Sequence, residues 1–105
     1  MSMEGEMMDI LEMETALMDR EDVLEKAAEL ISGDRQATYG DAKEMHQLIG
    51  DLWSTYLGVE VGAVDVAVLM VLMKAARSKG PQKHSDNFVD ICGYASLACE
   101  MQESN

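Results

Sequence analysis

The chain alternates between segments whose apolar residues recur at helical spacing and short interruptions marked by glycine. Apolar positions three or four residues apart indicate one face of an α-helix, and Gly33, Gly58 and Gly80 are typical helix ends. The pattern predicts helices at about residues 20–32, 41–57, 63–79 and 86–101. The period-two alternation of β-branched residues that would predict strands is nearly absent. We therefore expect an all-α fold with a compact arrangement of four helices.

The first two predicted helices each carry a stripe of apolar side chains, which we expect to face the core. In the first helix the stripe consists of Val23, Leu24, Ala27, Leu30 and Ile31. In the second helix it consists of Met45, Leu48, Ile49, Leu52, Trp53 and Tyr56. We expect Asp19 and Asp41 to cap the two helices, because a carboxylate at that position accepts hydrogen bonds from free backbone N–H groups.

The third predicted helix is apolar nearly all round between residues 66 and 76, apart from Lys74. Such a helix is buried on most sides. It therefore lies centrally among the other helices or forms an interface between subunits. Because three amphipathic neighbours do not readily cover this much apolar surface, we expect a homo-oligomer.

Residues 1–19 form an acidic, methionine-rich segment that we separate from a single helical domain at residues 20–102. The first 18 residues hold six methionines. They could form an extra amphipathic helix or stay frayed, and the pattern does not decide between these. Methionine-rich faces suit adaptable protein contacts, so a host protein is one candidate partner.

The formal net charge of −12 restricts the partners of the protein. It argues against duplex nucleic acid and an anionic membrane, since both would repel an acidic surface. The longest apolar run, at residues 66–73, is far shorter than the roughly 20 residues that cross a bilayer. No basic, apolar leader opens the chain, so we expect a cytoplasmic protein.

The segment from Gly33 to Asp41 carries an arginine, a tyrosine and two aspartates between predicted helices. Binding residues concentrate in such loops, so Arg35 and Tyr39 are candidates for contacting a ligand. The alternative is structural: Gly33 and Asp41 would cap helices, and Arg35 would pair with a nearby carboxylate. The segment alone leaves both interpretations open.

A second group of charges lies where the third and fourth predicted helices meet. A short turn should join them as an antiparallel hairpin, which brings Lys74 and Arg77 opposite Asp90 and Asp86. The structural interpretation is a pair of interhelical salt bridges, because buried charges normally occur paired. The functional one is a site of mixed charge that binds phosphate through its cations. Tyr94, one turn beyond Asp90, would stack on a base or belong to the core.

Four stretches together resemble a bacteriophage and prophage family of short helical proteins whose function is unassigned. They are the run from Leu24 to Asp41, Leu52-Trp53-x-x-Tyr56-Leu57, Asp65-Val66-Ala67 leading to Lys74-x-x-Arg77, and Asp86-x-x-x-Asp90-x-x-Gly93-Tyr94. The resemblance covers about residues 20–100. It implies a phage origin and a nucleotide-type ligand.

That family is similar in size and helix order to domains associated with phage nucleotide modification, and more distantly to the MazG-like nucleotide pyrophosphohydrolases. MazG-like enzymes hold magnesium with inward-facing carboxylates on helices. Here Asp22, Glu25 and Glu29 face away from the apolar stripe. The metal ligands that this resemblance leaves are Asp41, Asp86 and Asp90. His46 and His84 have no companion at ligand spacing, so we expect no histidine-based metal site.

Three hypotheses follow. The first is a protein that binds a phosphorylated nucleotide without turnover and could sequester a host signalling nucleotide, which would evade host defence. Its ligand-binding residues would be Arg35, Tyr39, Lys74, Arg77, Asp86, Asp90 and Tyr94. The second is a magnesium-dependent nucleotide pyrophosphohydrolase. The third is an acidic interaction protein that targets a host protein. Whether the protein is an enzyme stays open at this point.

Overall fold

The computed structural model describes residues 18–32, 41–82 and 84–104. They form four helices: α1 at Arg20–Ile31, α2 at Ala42–Leu57, α3 at Ala63–Arg77 and α4 at Ser85–Glu103. These ranges contain no strand, so the predicted all-α arrangement of four helices is confirmed. The extra N-terminal helix considered above would fall on residues 1–17, outside the described ranges.

The first two helices begin at the predicted aspartate caps. Asp22 N donates to Asp19 Oδ1 at 2.8 Å, and Asp19 N donates to Asp22 Oδ2 at 3.2 Å, which completes a capping box. Lys43 N donates to Asp41 Oδ1 at 3.0 Å. Gly58 ends α2 in the left-handed region with φ of 72°, where glycine carries no steric penalty.

The turn between α3 and α4 is longer than the turn that the sequence pattern predicted. Helix α3 ends at Arg77, and α4 runs over Ser85–Glu103, so the predicted bounds of 79, 86 and 101 each shift by one or two residues. Ser78, Lys79 and Gly80 donate their N–H groups to carbonyls three residues back, which tightens the end of α3. The Ser78 hydroxyl also donates to Ala75 O at 2.6 Å.

Helices α3 and α4 form the centre of the packing among the described helices. The most extensive packing of α4 is with α3, followed by its packing with α1, while α2 packs mainly on α3 and barely touches α4. Few apolar side chains of the described residues are buried: Ala27, Val66, Ala67, Val89 and Met101. The core is therefore a thin seam along α3 and α4.

Helix α2 approaches the segment before α3 through a glycine. A Cβ atom on Gly50 would lie 2.7 Å from Val61 O and 3.3 Å from Gly62 C. Ser54, one turn further, fixes the same segment, since Val61 N donates to Ser54 Oγ at 2.7 Å. Backbone contact and hydrogen bond together set the rotation of α2 about its own axis.

This rotation turns the predicted stripe of α2 outward, so its expected place in the core is wrong for most of its members. The exposed fractions are 41% for Met45, 52% for Leu48, 60% for Leu52 and 89% for Tyr56. His46 and Gly50 are buried instead. Since Gly50 makes the closest backbone approach, the face that carries it must point inward, whatever the hydrophobicity of the other face.

Helices α1 and α3 also expose apolar residues that were expected to be buried. Leu24 is 60% and Leu30 38% exposed on α1, where only Ala27 is buried. On α3, Val66 and Ala67 are fully buried, but Val68, Leu69, Leu72 and Met73 are exposed. The expectation that α3 is buried on most sides is therefore wrong for a single chain. No helix in the described ranges combines the length and the apolar character that crossing a membrane requires.

Candidate functional site

A cavity of about 330 Å³ opens among all four helices. Its size falls at the lower end of the range for small-molecule sites, roughly 300–1,000 Å³. Most of its lining is apolar: Leu30, Ile31, Ala42, Met45, Ile49, Val66, Met70, Val89, Gly93 and Leu97. The side chains that can form strong polar contacts are those of His46, Lys74, Asp90 and Tyr94. An apolar cavity with a few placed polar groups is the usual composition of a ligand site.

The charged part of this cavity is an ion pair between α3 and α4. Lys74 Nζ lies 2.9 Å from Asp90 Oδ2, and the side chains are 15% and 23% exposed. The predicted register of the hairpin is thereby confirmed for this pair. Because both groups are largely removed from water, their attraction is stronger than that of an exposed pair, but each also loses hydration.

The histidine of the cavity comes from the inward face of α2. His46 is 7% exposed, and its Nδ1 lies 2.7 Å from Ala42 O, one turn earlier in the helix. Its Nε2 is buried, and no residue in the described ranges forms a hydrogen bond with it. The ring of Tyr94 lies across from it, with centroids 6.0 Å apart and planes tilted by 58°.

Arg77 and Asp86 do not join the site. Both are exposed and lie outside the cavity lining, and the described ranges show no ion pair between them. The predicted second salt bridge is therefore absent from this part of the chain. Close to the turn both side chains reach water, where a single ion pair contributes little, about 0–1 kcal/mol.

The three aspartates proposed as metal ligands have different surroundings. Asp41 caps α2, Asp86 is exposed on the first turn of α4, and Asp90 pairs with Lys74. Within the described ranges, no three His, Cys, Asp or Glu side chains gather closely enough to hold a metal ion. The predicted set of Asp41, Asp86 and Asp90 is not brought together.

Arg35 and Tyr39 lie outside the described residues, so their role stays a prediction. Described residues on either side of this segment nevertheless line the cavity. Ile31, two residues before Gly33, and Ala42, two residues after Gly40, both line it.

Sequence reasoning missed His46, which lines the cavity. It considered this residue only as a metal ligand, for which a companion at ligand spacing was required. The signal that could have found it is the line of Ala42, His46 and Gly50, spaced four residues apart on one helical face. Small residues on either side of a polar one indicate a face where another segment comes close, and that face is the buried one.

The fold and the cavity define a class: a small all-α protein with a largely apolar cavity that contains a lysine–aspartate pair and a buried histidine. The chain belongs to the DUF6378 family, a domain of unknown function, which it matches over residues 22–102. The predicted resemblance to a phage family of unassigned function is confirmed at this level.

The relatives are proteins of mycobacteriophages. The chain is 48% identical over 81 residues to the Gene 55 protein of Mycobacterium phage L5, which covers 76% of this chain and 52% of that protein. It is 48% identical over 83 residues to the Gene 55 protein of Mycobacterium phage D29, which covers 79% of this chain and 55% of that protein. The chain spans about half the length of these curated relatives. No solved structure matches it.

Proposed function

We propose that this protein binds a phosphorylated nucleotide in the cavity among its four helices. The observation that carries the proposal is the position of Lys74, a largely buried cation that opens onto an otherwise apolar cavity of about 330 Å³. A lysine held at such a place is costly unless it is paired, and Asp90 provides only one partner for its three N–H donors. A phosphate oxygen would provide a second.

The remaining lining suits the other half of a nucleotide. A nucleobase has apolar faces that pack on aliphatic and aromatic side chains, as well as edges that form hydrogen bonds. Met70 and Leu97 supply aliphatic surface, and Tyr94 supplies a ring. Asp90 stands beside Lys74 and would compete with a bound phosphate for the N–H donors of Lys74.

We favour binding over turnover. The pyrophosphohydrolase hypothesis needs a set of carboxylates for magnesium, and the described ranges do not assemble one. The distant similarity to MazG-like and nucleotide-modification domains therefore supports the type of ligand more than a reaction. Sequestration of a host signalling nucleotide, and with it evasion of host defence, fits a binder without turnover. The interaction-protein hypothesis depends on residues 1–19, most of which lie outside the described ranges.

The test is a thermal-shift panel of mono-, di-, tri- and cyclic nucleotides with and without magnesium, followed by product analysis. A ligand at 100 times its Kd stabilises the folded state by about 2.7 kcal/mol, so we expect a rise in Tm of several degrees. We expect the nucleotide to be recovered intact. If no member raises Tm at millimolar concentration, nucleotide binding is wrong. A hydrolysed product would support the enzyme hypothesis instead.

We further propose that a second copy of the chain covers the outward stripe of α2, formed by Met45, Leu48, Leu52 and Tyr56. These four exposed side chains carry no charge. Copies with a formal net charge of −12 repel each other unless they meet over an uncharged surface. Apolar patches of this kind on a small chain mark interfaces. Met45 also lines the cavity, so the interface would adjoin the site.

Sedimentation velocity tests this interface through Leu48→Glu. We expect the unaltered protein to sediment as a dimer or larger, and the variant to shift to the monomer, because a charge would be buried against its own copy. Gln47→Glu is the matched control, since it adds the same charge at the adjacent exposed position of α2 and should leave the assembly intact. A monomeric unaltered protein would contradict the proposal, as would equal dissociation of both variants.

A further inference from the structure

The hydrogen bond of His46 fixes which of its nitrogens carries a proton. Ala42 O, at 2.7 Å from Nδ1, is a carbonyl and can only accept. Nδ1 must therefore donate, and the neutral imidazole then has an unprotonated Nε2 with a lone pair. Because Nδ1 faces the backbone of α2, the far edge of the ring, which carries Nε2, points away from that helix.

This Nε2 is a buried acceptor beside the cavity. His46 is 93% buried, Nε2 itself is shielded from solvent, and no described residue donates to it. Buried polar atoms are normally hydrogen-bonded, and each exception calls for an explanation. His46 is one of the residues that line the cavity, so a molecule bound there can supply the donor.

We infer that Nε2 of His46 accepts a hydrogen bond from an N–H on the edge of a nucleobase, so that the base fills the inner cavity and the phosphate lies at Lys74. The inference rests on the proposed binding of a nucleotide. A phosphate oxygen is itself an acceptor and does not match the lone pair of a neutral Nε2. Lys74, with three donors, matches it instead. The aliphatic lining, with Ile49, Val66 and Val89, accommodates the faces of a base better than a sugar with several hydroxyls.

The first experiment needs no ligand. Two-dimensional NMR that correlates the imidazole nitrogens with the ring protons of His46 reports its tautomer in the free protein. We expect the form protonated at Nδ1 only. A proton on Nε2, either in the other tautomer or in an imidazolium at neutral pH, would overturn the inference, since that nitrogen would then donate and would suit a phosphate.

The second experiment compares nucleotides that differ in one donor. Calorimetry would measure adenosine 5′-monophosphate against purine riboside 5′-monophosphate, which lacks the exocyclic amino group. It would also measure uridine 5′-monophosphate against its N3-methyl derivative, which lacks the N3–H. For the nucleotide that binds, we expect the donor-free analogue to bind about tenfold more weakly, because it leaves a buried acceptor unpaired.

The variant His46→Phe tests whether His46 causes the preference for the nucleotide that has the donor. It keeps a flat ring of similar shape but has no acceptor, so both members of a pair should bind it alike. If the unaltered protein binds both members equally, or if His46→Phe keeps the preference, the inference is overturned and nucleotide binding stands. If neither natural nucleotide binds, the inference is overturned as well, and nucleotide binding at this cavity fails with it only if no member of the thermal-shift panel binds. The tautomer and the analogue comparison do not depend on whether the variant folds.

Discussion

Gly50→Ala should lower the free energy of unfolding by about 1–2 kcal/mol, although alanine is the better helix former. The added Cβ would lie 2.7 Å from Val61 O and 3.3 Å from Gly62 C, and both are backbone atoms. Overpacking of this kind typically costs about 1–3 kcal/mol, and occasionally more. The gain in helix propensity, about 1 kcal/mol, does not offset it. The hydrogen bond from Val61 N to Ser54 prevents the segment from moving aside.

Urea unfolding followed by circular dichroism measures this effect, with Gly93→Ala as the matched control. Gly93 is also a buried glycine within a helix, but a Cβ there would meet only Ile31 Cγ2, at 3.4 Å, which is an ordinary contact with a side chain. The control should therefore be as stable as the unaltered protein or more so. Equal midpoints for the two variants would mean that α2 does not approach the Val61–Gly62 segment as described.

The helices could be predicted from the sequence because their signals are local. Asp19 and Asp41 cap helices through hydrogen bonds that span two or three residues, and Gly58 ends α2 through its own φ of 72°. Between these end signals, the helical spacing of apolar residues predicts that the chain is helical. The errors at the end of α3 and at the start of α4 arose where the turn forms hydrogen bonds that the apolar pattern does not encode.

The face that α2 presents to the core could not be predicted by the same means. Hydrophobicity places Leu48 and Leu52 inside, whereas the structure exposes them and buries His46. The deciding contact joins Gly50 to Val61, eleven residues away and across a turn, so it depends on tertiary structure. An apolar stripe reports that some surface is covered, but it does not distinguish the core from an interface between chains.

The candidate site was predictable where one geometric rule sufficed. The hairpin register brought Lys74, on the last turn of α3, to Asp90, which lies one turn further into α4 than Asp86. The same counting failed for Arg77 and Asp86, because next to the turn of the hairpin water competes for both charges. Arg35 and Tyr39 stay predictions, and His46 required knowledge of which face of α2 is buried.

Charge variants of the Lys74–Asp90 pair should change nucleotide affinity in opposite directions. Lys74→Met removes the phosphate donor but keeps the aliphatic stem, and we expect affinity to fall about 10- to 100-fold, the value of a hydrogen bond to a charged group. Asp90→Asn frees Lys74 from the carboxylate at 2.9 Å, so we expect the nucleotide to bind several-fold more tightly. Titration calorimetry with the best ligand of the nucleotide panel measures both.

Affinity changes in opposite directions for the two variants would distinguish a ligand-binding site from a structural salt bridge. Each variant leaves a largely buried charge without its partner, so both should lower the free energy of unfolding, and stability alone cannot distinguish the two roles. A purely structural pair would weaken binding in both variants, in proportion to that loss of stability. Lys79→Met removes the same charge from an exposed lysine outside the cavity lining and should leave affinity unchanged. Weaker nucleotide binding by Asp90→Asn would contradict the proposal that the phosphate lies at Lys74. Tighter binding would show that Asp90 competes with the ligand for Lys74.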